Sequence, residues 1–179
     1  NAYFDKENVL AVYINPKEFE GWWYQGAGIY RDVHLTITEP VAIDLWGVYA
    51  PYEKINENDW KINFETTVIN ADYEDAFVSL ESFVYDKEGN LVATALGEGN
   101  VALREKGVIK YSCVVSNPLL WDCENPNLYS IKTILKQNSE EIDENYTRIG
   151  FRTVEITVEN GLLLNGKKTY INGVCGHQD

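Results

Sequence analysis

Carboxylates are the commonest groups in this chain that could do chemistry: 28 Asp and Glu stand against 15 Lys and Arg, with two His. Hydrolysis by acid and base needs two carboxyls in one shaped pocket, with one of them kept protonated by its surroundings. The adjacent pairs Glu74-Asp75 and Glu140-Glu141 fall in polar, turn-like stretches and read as solvated side chains. His34 alternates with Val33, Leu35 and Ile37, which makes it the wet side of a strand pattern. Trp22-Trp23-Tyr24 has the flat faces on which sugar rings stack. Cys113, Cys123 and Cys175 are odd in number and lack metal-ligand spacing, so they read as small, buried or half-buried side chains. A Cys113–Cys123 bridge stays open on the sequence alone. No metal and no cofactor is expected.

The net charge of −13 argues against nucleic acid or an anionic membrane as a partner. No run approaches the ~18 apolar residues of a membrane-spanning helix. A composition of 45% hydrophobic and 24% charged residues is that of a globular protein. The 179 residues suffice for one domain, or one and a fraction. Cysteine usage does not fix the compartment.

The elements that would position any site are strands. Trp60, Ile62, Phe64, Thr66 and Val68 fall on one face and Lys61, Asn63, Glu65 and Thr67 on the other, a half-buried strand. Val78, Leu80 and Val84 repeat at period two, and Asp86-Lys-Glu-Gly-Asn90 turns the chain into Leu91–Leu96. Ile109, Tyr111, Cys113 and Val115 form a further face, then Tyr129, Ile131, Thr133 and Leu135, then Val154, Ile156 and Val158. With Val41–Ala50 as the first strand, about seven strands lie between residues 41 and 158, the count and size of an immunoglobulin-like sandwich. Between two of them, Asn117 to Tyr129 carries two Pro and three Asn and reads as an ordered irregular crossing pinned by Leu120, Trp121 and Tyr129.

The ends do not fit that sandwich. Residues 8–14 and 29–38 are strand candidates joined by Gly21-Trp-Trp-Tyr-Gln-Gly-Ala-Gly28, and Glu39-Pro40 punctuates the boundary. Leu162–Leu164, Asn165-Gly166 and Lys168–Ile171 predict a hairpin with a type I′ turn. Asn1-Ala2, in a chain without Met, reads as a remnant of tag removal. The expectation is an all-β chain, an immunoglobulin-like antiparallel sandwich with partial flanking strands at both ends.

Three segments carry a resemblance to glycoside hydrolase family 2, of the bacterial β-galactosidase kind. Trp23-Tyr-Gln-Gly-Ala-Gly-Ile-Tyr-Arg-Asp-Val33 resembles the end of that family's sugar-binding jelly roll. Asn117-Pro-Leu-Leu-Trp-Asp-Cys-Glu-Asn-Pro-Asn-Leu-Tyr129 is similar to the crossing in its sandwich domain. Gly150-Phe-Arg-Thr153, Leu164-Asn-Gly-Lys167 and Gly173-Val-Cys-Gly-His177 resemble the entry to its (β/α)8 barrel. Each motif is moderately specific; their order and spacing span nearly the whole chain.

The resemblance implies three parts: jelly-roll strands in 1–40, the sandwich in 41–158, and a hairpin and first strand in 159–179 leading into a barrel outside the chain. It implies a retaining mechanism with two Glu about 5–5.5 Å apart, both downstream, so no catalytic residue is expected here. His177, and with less support Asp179, would contact sugar hydroxyls. The Trp22-Trp23-Tyr24 cluster would pack on the barrel, and Arg31 and Arg152 would make interdomain or strand-end salt bridges. The implied chain is a non-catalytic scaffold of an enzyme acting on a terminal β-galactoside or oligosaccharide, with self-association through cut edges possible. β-Glucuronidase and β-mannosidase are the rivals within the family, and Cys175 in the last motif tilts the reading toward β-galactosidase. A non-enzymatic immunoglobulin-like glycan-binding module is the rival outside it.

Overall fold

A computed structural model describes residues 5–15, 28–29 and 31–176. The chain divides into a unit spanning Ile37–Tyr170 and another made of Asn1–Thr36 with Ile171–Asp179. Every regular element among the described residues is a strand, and all eleven lie in the first unit.

Strand β3 (Asp59–Asn70) organises the first sheet. Along one edge it pairs with β6 (Lys106–Ser116); along the other it pairs with β1 (Val41–Tyr49) and then β2 (Tyr52–Lys54). The second sheet has the order β5-β4-β7-β8, from β4 (Ala76–Tyr85), β5 (Leu91–Val101), β7 (Tyr129–Gln137) and β8 (Glu140–Ile149). All pairings are antiparallel. Alternation decides which side chains meet between the sheets: Trp60, Ile62, Phe64, Thr66 and Val68 of β3 are buried, as are Val78, Leu80 and Val84 of β4 and Ile131, Thr133 and Leu135 of β7.

Between the sheets lies a polar cluster that is internally satisfied. The Tyr111 hydroxyl lies 2.9 Å from both Thr66 Oγ1 and Ser82 Oγ, and Ser82 Oγ lies 2.7 Å from Thr133 Oγ1. Four strands from both sheets are thereby joined by hydroxyls that have left water together. The Tyr111 ring stacks on Phe64, with centroids 4.8 Å apart and planes 6° from parallel. At one end of the sandwich Phe151 makes edge contacts with Tyr52, Trp60 and Tyr129, at centroid distances of 5.2, 5.6 and 5.0 Å.

Several expectations are corrected. Val154–Thr157 (β9) is not a sandwich strand: it pairs with β10 (Gly161–Leu164), which pairs with β11 (Lys167–Lys168) in a separate small sheet. Ile156 is accordingly 81% exposed. Glu140-Glu141 opens the edge strand β8 rather than a turn, because pairing with β7 is carried by the main chain and an edge tolerates charge. The described parts of 8–14 and 29–38 carry no strand, and Val9 and Leu35 are more than four-fifths exposed. Of the three cysteines, expected to be buried or half-buried, Cys123 and Cys175 are exposed; all three are free, which closes the alternative of a Cys113–Cys123 bridge. Burial of Cys113 pushes its thiol up to about 11, the behaviour of an inert packing residue. The hairpin turn is as expected, with Asn165 at φ 51° and Gly166 at φ 74°, the positive pair of a type I′ turn, but the second strand is Lys167–Lys168 rather than Lys168–Ile171.

Candidate functional site

The crossing between β6 and β7 is held by its own polar side chains. Asp122 accepts hydrogen bonds from the main-chain N–H of Glu124 (2.9 Å) and Asn125 (2.6 Å), and the Asn127 amide donates to the Leu120 carbonyl at 2.9 Å. The Tyr129 hydroxyl accepts the Leu119 N–H at 2.8 Å, which ties the crossing to a buried ring. Leu120 packs on the core, and Trp121 bridges to Pro126 within the loop.

Trp121 is where separated segments converge. Its N–H donates to the Phe151 carbonyl at 2.8 Å, and its indole lies 4.8 Å from the Arg152 guanidinium carbon, a cation–π contact. The Tyr52 hydroxyl donates to the Gly150 carbonyl next door. Asn165, at the tip of the hairpin, closes the joint: its Nδ2 donates to the Trp121 carbonyl at 3.0 Å and its Oδ1 accepts the Thr153 N–H at 3.0 Å. Its own N–H donates to the Thr153 carbonyl at 2.9 Å. The crossing, the segment 150–153 and the hairpin are therefore tied together by hydrogen bonds through Trp121 and Asn165.

Beside this joint lies a groove of about 330 Å³. Asp122, Cys123 and Glu124 form one wall, and Leu164 with Lys167 to Tyr170 form the other. The Asp122 carboxyl is held below its ordinary value, first by the Asn125 N–H and in smaller part by Lys167. Asp44, Asp59 and Asp86 are also displaced downward, chiefly by hydrogen bonds from Lys106, Ser116 and Asn90 respectively. All four displaced carboxyls thus favour the ionised form, the opposite of what a general acid requires. No group of His, Cys, Asp and Glu that could hold a metal occurs among the described residues.

The expected site residues fare unevenly. His177, Asp179 and Trp22-Trp23-Tyr24 lie outside the described residues. His34 and Arg31 are exposed. Arg152, expected in an interdomain or strand-end salt bridge, lies over the Trp121 ring and makes no ion pair among the described residues. The Glu74 side chain is exposed as expected, while the Asp75 carboxylate helps to organise its loop by accepting the Leu103 N–H at 3.0 Å. Asn165 was legible only as a turn former. Its second role, joining two segments, leaves no mark in the local pattern.

Residues 41–152 match the family described as glycosyl hydrolases family 2. Over 98% of this chain the sequence is 36% identical to the β-galactosidase BoGH2A of Bacteroides ovatus, covering 21% of that protein. It is 31% identical over 99% of the chain to a β-glucuronidase of Bacteroides fragilis, covering 27% of it. The crystal structure of a β-glycosidase from Bacteroides vulgatus superposes with a TM-score of 0.73 at 28% identity, over 87% of this chain and 19% of that one. The chain spans about a fifth to a quarter of the length of these relatives.

Proposed function

The chain belongs to glycosyl hydrolases family 2, and from that premise we propose that it is non-catalytic scaffold within a longer retaining enzyme that hydrolyses terminal β-galactosides. The observation that carries the substrate class is the 36% identity over 98% of this chain to a β-galactosidase. In this reading two Glu of a barrel outside the chain act as nucleophile and acid/base. The sandwich supplies a rigid base, and the joint at Trp121, Arg152 and Asn165 fixes the direction in which the chain leaves it. His177 and Asp179, beyond the hairpin, are proposed to contact the sugar hydroxyls.

Support for a scaffold role comes from the share of its relatives that the chain spans, 21% of the β-galactosidase and 27% of the β-glucuronidase. A second reading, a β-glucuronidase parent, is favoured by the 31% identity to the Bacteroides fragilis enzyme. The test assays the 179-residue chain and the longer parent in parallel on chromogenic β-galactoside and β-glucuronide. The chain alone is expected to be inert and the parent to prefer the galactoside. Turnover by the chain that a point substitution within it abolishes would sink the scaffold role. Preference for the glucuronide would transfer the proposal to the second reading.

A further inference from the structure

Strand β1 is interrupted in a way the sandwich does not need. Ile43 pairs with Val68 and Val48 with Thr66, so four residues, 44–47, stand opposite Thr67 alone. At the crest, Trp46 has φ 58°, a left-handed backbone that a bulky side chain adopts only under constraint. The constraint is visible on both sides. Asp44 is tied to Lys106 and accepts the Leu45 N–H at 3.0 Å. A side chain on Gly47 would meet the carbonyl oxygens of Asp44 and Thr67 at 2.7 and 2.8 Å, so the backbone is packed closely there. Ile43 just before the bulge donates its N–H to Asp143 at 2.8 Å.

This held and strained turn displays apolar surface to solvent: Leu45 is 77% and Trp46 89% exposed. Neither contributes to the core. We propose that Leu45 and Trp46 form a docking peg that seats in an apolar socket on another domain of the same polypeptide. Three observations select that occupant. The chain covers only 21% of its β-galactosidase relative, so most of such a polypeptide lies outside it. An aliphatic side chain beside an indole suits a protein socket better than a sugar ring, which asks for hydrogen bonds around the aromatic face. Within the turn 44–47 the one charged residue, Asp44, is already paired with Lys106, so the apolar pair has no free charge beside it in the turn. The inference rests on the reading of the chain as part of a longer enzyme.

Hydroxyl-radical footprinting read by mass spectrometry tests it, on the longer parent and on the 179-residue chain. Oxidation at Trp46 is expected to be severalfold slower in the parent, with Trp46→Ala lowering the parent's unfolding midpoint and leaving that of the short chain unchanged or raised. Equal oxidation in both proteins overturns the proposal. Protection in the short chain that grows with its concentration overturns it in favour of a second copy. Protection that requires added lactose overturns it in favour of a sugar. Glycosidase activity is measured on the same parent preparation. An active parent with an unprotected Trp46 removes the peg alone, whereas an inactive parent with a protected Trp46 removes the enzyme reading and leaves the peg standing.

Discussion

An ideal Cβ on Gly150 would lie 3.0 Å from both Cβ and Cδ1 of Trp121, so the missing side chain of one residue is the seat of the other. The fit brings the loop between β6 and β7 against the strand-end segment that follows β8. Once seated, the indole offers its face to Arg152. Gly150→Ala would push the ring out or the backbone apart, at a cost of about 1–3 kcal/mol from overpacking. Urea unfolding measures it. An unchanged midpoint would mean that the loop yields freely, and the joint would then not be rigid.

The centre of the sandwich gives a contrast between volume and polarity. Phe64→Ala empties a site 1% exposed and should cost about 3–5 kcal/mol. Tyr111→Phe keeps the ring on Phe64 but strips Thr66 and Ser82 of a shared partner, which should cost about 1–3 kcal/mol. Denaturant titrations of the two variants should therefore rank Phe64→Ala as the more damaging. The reverse order would assign the hydroxyl group more of the stability than the packing beneath it.

How much of this could be read in advance depended on whether a residue's partner was close in sequence or implied by period. Trp60, Phe64, Leu80, Tyr111 and Ile131 are all buried as alternation required, because a pleat fixes which side each residue faces. Strand β8 escaped notice because its burial is slight until Ile149 and its pairing with β7 is main-chain work that polar residues perform equally well. Val154 and Ile156 alternate like a core strand yet stand on an exposed sheet, since period reports a face and not what covers it. The candidate site was legible as motifs. That Trp121 and Asn165 touch across 44 positions was not, because no local signal encodes a contact between loops.

Acid should destabilise the fold in a defined window. Asp44, Asp59, Asp86 and Asp122 have folded pKa values below their ordinary 3.8. A depressed carboxylate contributes its stabilisation in full above its unfolded pKa and loses it as pH falls through the folded value. The denaturation midpoint should thus be nearly level between about pH 5 and 7 and decline below about pH 4. These groups are solvent-accessible, so each contribution is small and the decline gradual. Asp86→Asn, which removes one titrating group from the turn before β5, should make the acid limb shallower. A limb equally steep in that variant would show that other carboxyls drive the loss.

Asn165 allows its backbone and its side chain to be tested apart. It occupies φ 51°, which asparagine tolerates better than most residues, and its amide spans Thr153 and Trp121. Asn165→Gly keeps the turn and removes both side-chain hydrogen bonds; Asn165→Ala removes them and adds strain at the positive φ. The small sheet β9–β11 is peripheral to the sandwich core, so either loss should appear as local opening before it appears in global stability. Hydrogen exchange is the suitable measurement. In Asn165→Gly the Thr153 amide, which donates to the Asn165 side chain, should exchange markedly faster while Ile62 and Leu80 stay protected. The hairpin amides from Gly161 to Lys168 should quicken less, because their main-chain pairing remains. In Asn165→Ala the hairpin should quicken as well, since the turn itself is now disfavoured. If both variants leave the Thr153 amide as slow as before, the joint is held by the Trp121 and Phe151 main chains alone, and Asn165 is only a turn residue.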